Sequence, residues 1–131
     1  MTESLTVVRA ELVDDLEGGG FLVTEHLDQG VKAPAVVIGC GNPYLTPAEL
    51  LRPDELVVSL ELFLLFRAAQ RDAMTTAVNR GVQDLLLAID DRWTFLDASA
   101  PFRATNLPGN PPVCRVRITA NVRITTPEGT N

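Results

Sequence analysis

The stretch Glu55 to Phe66, ELVVSLELFLLF, decides the fold. Its even positions, Leu56, Val58, Leu60, Leu62, Leu64 and Phe66, are all apolar. Its odd positions mix Val57, Ser59, Glu61, Phe63 and Leu65. Side chains alternate across a strand, so one face belongs to a core and the other is polar only at its centre. Downstream, Met74, Val78, Val82, Leu85 and Ile89 form one stripe of a helix expected from about Ala68 to Asp90. The closing segment, Val113 to Thr125, alternates again. Cys114, Val116, Ile118, Ala120, Val122 and Ile124 face inward, and Arg115, Arg117, Thr119, Asn121 and Arg123 face outward. Leu60, Leu62, Val78, Leu85, Ile118 and Val122 are the expected core.

Upstream, Leu5, Val8, Leu12, Val13 and Leu16 recur at helical spacing from about Glu3 to Glu17. Ser4 or Thr2 suits the N-cap, with acids in the early turns favoured by the helix dipole. Gly18-Gly19-Gly20 ends this helix. Short strands are expected at Phe21 to Glu25 and Trp93 to Asp97, a turn at Asp28 to Pro34, and a buried strand at Ala35 to Ile38. Two long loops remain, at about 39–53 and 99–112. The first carries Gly41-Asn42-Pro43 and Pro47, and Thr46-Pro47-Ala48-Glu49 has the pattern of a capped helical turn. The class that follows is α+β. We expect a single domain over 1–131, with a mostly antiparallel or mixed sheet of about four to five strands and two main helices on one face.

At 131 residues, one domain is the expectation, and the chain is long enough to bury a core without staples. With 46% hydrophobic and 21% charged residues, the composition is that of a globular chain. The longest apolar runs, such as Leu62 to Phe66, are far short of a membrane span. Residues 1–20 carry Glu3, Glu11, Asp14, Asp15 and Glu17, the opposite of a secretion signal's basic start. A soluble protein made inside a cell is expected. The formal net charge of −6 argues against a surface built for nucleic acid phosphates.

Catalytic and ligand motifs are weak. His26 is the only histidine, so a catalytic triad has no second candidate, and a surface loop is its expected place. Gly39-Cys40-Gly41-Asn42-Pro43 lacks the lysine and hydroxyl of a phosphate-binding loop and reads as a turn. Asp14-Asp15-Glu17 and Asp90-Asp91 read as solvated acids more readily than as a metal site. Cys40 and Cys114 read as buried thiols acting as small hydrophobes. No cofactor is expected and no enzymatic activity. The most informative polar set is the outward stripe Arg115, Arg117 and Arg123. Glu61 has matching parity and would meet an arginine if the two strands were neighbours. The stripe has three open readings: a solvated face with a cross-strand ion pair, a subunit interface, or contact with nucleic acid.

The segment Pro34 to Pro47, PAVVIGCGNPYLTP, resembles the strand-plus-loop segment of the tail terminator proteins of long-tailed phages, especially those infecting actinobacteria. Val57 to Phe66 is similar to that family's strongly apolar strand. The layout of an amino-terminal helix, a long helix and a closing strand of alternating Val/Ile and Arg/Thr is similar too. The resemblance implies a structural virion protein at the head–tail junction, present in the host cytoplasm during assembly. Its homohexameric ring would cap the tail tube, contact the major tail tube protein and dock to the head connector or neck protein. DNA would pass through the lumen without specific binding. Six copies would carry about −36, and like charge keeps a duplex from sticking. Weaker alternatives are another phage neck or tail-completion protein and an unrelated protein-binding α+β module.

For an interface, the two loops offer the apolar groups Tyr44, Leu45, Leu50, Phe102 and Leu107, together with Arg52 and Arg103. Tyrosine and arginine are common interface anchors, and proline lowers the entropy lost when a loop is ordered. Tyr44, Leu45, Arg52, Phe102, Arg103, Leu107, Arg115, Arg117 and Arg123 are therefore the candidate interface residues.

Overall fold

A computed structural model of the protein describes residues 4–24, 35–49, 52–66, 71–103 and 112–123. The elements run α1 (Leu5–Gly18), β1 (Leu22–Thr24), β2 (Ala35–Glu49), β3 (Arg52–Leu65), α2 (Arg71–Ala88), β4 (Thr94–Ala98), β5 (Phe102–Arg103) and β6 (Pro112–Arg123). The strands form one mixed six-stranded sheet in the order β1-β2-β3-β6-β4, with β5 also paired to β6. Among the described residues, only β1 and β2 run parallel; the other pairs are antiparallel. The class is α+β as expected, with more strands than the four to five read from the sequence.

β3 and β6 are direct neighbours, in register from Glu55 opposite Arg123 to Leu65 opposite Val113. Their inward residues meet in rows, Leu60 beside Ile118 and Leu62 beside Val116. Val8, Leu12 and Leu16 of α1 and Val78 and Leu85 of α2 join these rows in one cluster. All six residues expected in the core are buried. A smaller cluster, Ala35, Val37, Leu65 and Val113 with Phe63 against it, lies on the opposite face at one end of the sheet.

Ser4 is the N-cap of α1, its hydroxyl oxygen accepting a hydrogen bond from the Thr6 amide at 3.2 Å. The expected acids are not in the first turn of α1. Asp14, Asp15 and Glu17 fall in its second half, where the helix dipole does not favour them, and Glu11 lies at its middle. At the other end, Gly20 takes φ +92°, a conformation that glycine adopts without a side-chain penalty. The Arg9 guanidinium donates to the Ile38 carbonyl oxygen at 3.2 Å, tying α1 to β2.

The loop expected at about 39–53 is, for most of its length, not a loop. β2 runs through it to Glu49 and β3 starts at Arg52, so most of that segment is sheet. Thr46-Pro47-Ala48-Glu49 belongs to β2 and is not a helical turn: Thr46 lies opposite Val57 and Pro47 opposite Leu56. The breakers are accommodated by a shift of register between Cys40 and Leu45, where the Asn42–Pro43 bond is cis. A residue in such a bulge owes the ladder no hydrogen bond, so proline fits there. In the second expected loop, 99–112, Phe102–Arg103 form β5 and Pro112 begins β6, while residues 104–111 lie outside the described residues. Cys114 is buried as expected, but Cys40 is exposed. Cys40 shares the inward parity of Ile38, yet it is the last paired residue before the bulge.

Candidate interaction surface

The strand register builds the outward face of the sheet row by row. Val37 and Phe63 stand beside Arg115; Gly39, Glu61, Arg117 and Asp97 form the next row; Ser59, Thr119 and Thr94 the next. Thr46, Val57 and Asn121 follow, and Glu55 and Arg123 close the series. The face therefore has an apolar end, a charged belt and a neutral polar centre.

The three stripe arginines each meet a carboxylate. Arg117 Nε lies 3.3 Å from Asp97 Oδ1 on β4, and an Arg123 guanidinium nitrogen lies 3.7 Å from Glu55 Oε2. Glu61 sits directly opposite Arg117, but the arginine it meets is Arg115, diagonally, at 3.9 Å. Arg117 is drawn to the other side by Asp97. Arg115 Nε is buried without a hydrogen-bond partner, which leaves that side chain only partly satisfied. Pairs this exposed contribute little to stability, typically about 0.2–1 kcal/mol. Their effect on the surface is larger. Positive and negative groups interleave, so the stripe presents no single-sign field to a phosphate backbone.

Among these carboxylates, Glu61 is the one expected from the sequence, and Glu55 and Asp97 are not. A signal for Glu55 was present: once Glu61 is placed opposite Arg117, stepping equally along both strands sets Glu55 opposite Arg123. No comparable signal existed for Asp97, whose strand carries a register shift between Phe95 and Asp97.

The remaining candidates divide. Tyr44 is the last residue of the bulge and Leu45 resumes the pairing; both are partly buried against the main core cluster, so they support the fold of this chain. Phe102 and Arg103 are exposed on β5. Arg52 begins β3, its side chain outside the described residues, as are Leu50, Leu107 and His26. A notch of about 160 Å³ opens on the outward face, lined by Asn42, Pro43, Ser59, Glu61, Leu96 and Arg117.

The two acid clusters, distant in sequence, come together at the ends of the helices. The Asp90 amide donates to Asp15 Oδ2 at 3.2 Å. The Asp91 carboxyl is pushed up from its ordinary value by a hydrogen bond and the negative charge of Asp90, while the same bond holds Asp90 down. Among the described residues, no group of three or more acids, cysteines or histidines could hold a metal ion. Burial raises the Cys114 thiol, whose Sγ donates to the Ser99 carbonyl oxygen at 3.1 Å. Among the described residues, no helix is long and apolar enough to cross a membrane. In comparisons with known proteins, the chain matches no family model and no curated protein.

Proposed function

We propose that the protein is a structural virion component, a tail terminator that closes a phage tail tube as a hexameric ring and joins it to the head connector. The observation that carries this reading is the outward sheet face. It is broad, with charges of both signs interleaved around a neutral centre, the pattern of a surface that reads a protein neighbour by charge register. Its partly satisfied Arg115 and its apolar end at Phe63 are groups that a neighbouring subunit completes. The resemblance of Pro34–Pro47 and Val57–Phe66 to tail terminators supplies the identity of the neighbours: other copies of the chain, the major tail tube protein and the connector. The chain carries no catalytic step in this reading. It acts at the head–tail junction of the virion after folding in the host cytoplasm, and DNA passes the acidic ring without specific contact.

Exchanging one ion pair tests this. The double variant Asp97→Arg/Arg117→Asp keeps the pair within the chain but inverts the charges that a neighbour meets. Circular dichroism and the denaturant midpoint should stay close to those of the parent. Completed tailed particles should fall at least about tenfold, because like charges at an interface cost several kcal/mol and 1.4 kcal/mol is already a factor of ten. Normal particle yields from a folded double variant would remove this face from assembly.

A further inference from the structure

β4 ends one side of the sheet, and among the described residues no strand pairs with its far side. Natural edge strands are blunted by lysine, proline or unpaired charge. The open side of β2 beyond Val37 follows that rule, with Pro43 and Pro47 in it. β4, TFLDA, contains neither lysine nor proline, and its one charge, Asp97, is already held by Arg117 at 3.3 Å. Phe95 and Leu96 are 43% and 47% exposed on it. Phe95 pairs with Ile118 and Ala98 with Val116, so both stand on the helix side of the sheet. Beyond Ala98, a groove of about 400 Å³ separates β4 from α2. Val78 and Val82 line one wall, Ala98 and Pro101 the other, and Cys114 contributes to it as well. Such a groove is where the inward side chains of one more strand would lie.

We infer that a second copy of the chain supplies that strand: two β4 strands pair antiparallel about a two-fold axis, with Phe95 of each copy opposite Ala98 of the other and seated in the other's groove. Directly opposite residues of an antiparallel pair share a face. Phe95 and Ala98 share the inward face although they are three residues apart, because the register shift at Leu96 restores the parity. A large side chain then meets a small one beside an open groove, twice, as a two-fold contact requires. Charge selects the same direction. The flank before β4, Asp90, Asp91 and Arg92, is net negative and Arg103 follows the strand, so antiparallel strands bring opposite net signs together and parallel strands bring like signs together. The pairing stands apart from the proposed ring, whose six-fold contacts are all head to tail. It describes the chain outside the ring, with its aggregation-prone edge covered.

Disulfide trapping tests the register. In a Cys40→Ser/Cys114→Ser background, Phe95→Cys copies are mixed with Ala98→Cys copies and oxidised, with folding checked by circular dichroism. A cross-linked dimer is expected from the mixture and not from either variant alone, since directly opposite positions approach within disulfide reach. By sedimentation, the parent chain should be a dimer and Phe95→Lys a monomer at the same concentration. A parent chain that stays monomeric at its highest soluble concentration would overturn the inference. So would rings or dimers in which the mixture gives no cross-link, and rings of that kind would leave the proposed tail role standing.

Discussion

Replacing Leu62 by alanine is expected to destabilise the protein by about 2–5 kcal/mol. Leu62 is 0% exposed and lies opposite Ile38 on one side and Val116 on the other. It belongs to the cluster that joins both helices to the sheet. Truncation removes the transfer energy of the lost carbons and leaves a cavity that neighbours on three strands cannot collapse to fill. A urea melt of Leu62→Ala against the parent measures the loss. A shift below about 0.5 kcal/mol, the range of ordinary surface changes, would mean that the inward parity of β3 is wrong.

Gly41→Ala should destabilise nearly as severely, by about 1–3 kcal/mol, although it only adds a methyl group. A Cβ at Gly41 would lie 2.8 Å from Ser59 Cβ and 2.9 Å from the Ser59 carbonyl oxygen. The obstacle is partly the backbone of β3, which is paired on both sides and has little freedom to withdraw. Gly81→Ala provides the contrast. There the added methyl meets the ring edge of Phe66 at 2.8 Å, and a side chain can swing aside. Alanine also gains about 1 kcal/mol of helix propensity over glycine, so Gly81→Ala should be close to neutral. Equal melting midpoints for the two variants would contradict the close approach of β2 to β3 at Ser59.

These two glycines also show where the chain was legible as sequence. β3, β6 and the stripe of α2 could be read because burial imposes a period on them. The helix-side residues of β3 and β6 recur at every second position, and those of α2 at every third or fourth. The same alternation gives Glu61 the parity of the outward arginines, but its meeting with Arg115 needs β3 and β6 to be neighbours, which alternation alone does not set. β2 was legible only to Ile38. Beyond that residue its glycines and prolines have the composition of a loop, and the strand continues because a bulge at Asn42–Pro43 absorbs them. Nothing local distinguishes a bulged edge strand from a turn. The distinguishing fact is that Leu45 and Thr46 find partners in Val58 and Val57, which is a property of the whole sheet.

Tyr44 and Leu45 illustrate the consequence for the candidate surface. As loop residues they looked free to anchor a neighbour, but as strand residues they pack on the chain's own core. The outward arginines remained at the surface, and the partners that neutralise Arg117 and Arg123 came from Asp97 and Glu55. Parity alone identified the face, whereas its charge balance required the strand order.

The most direct measurement of the proposed function is an electron cryomicroscopy reconstruction of the head–tail junction in tailed particles assembled with this protein. Six copies in a closed ring at the head-proximal end of the tail tube, with the β3–β6 face buried in contacts between subunits or rings, is the predicted result. A single copy, a ring of another order, or complete particles that lack the protein would contradict it.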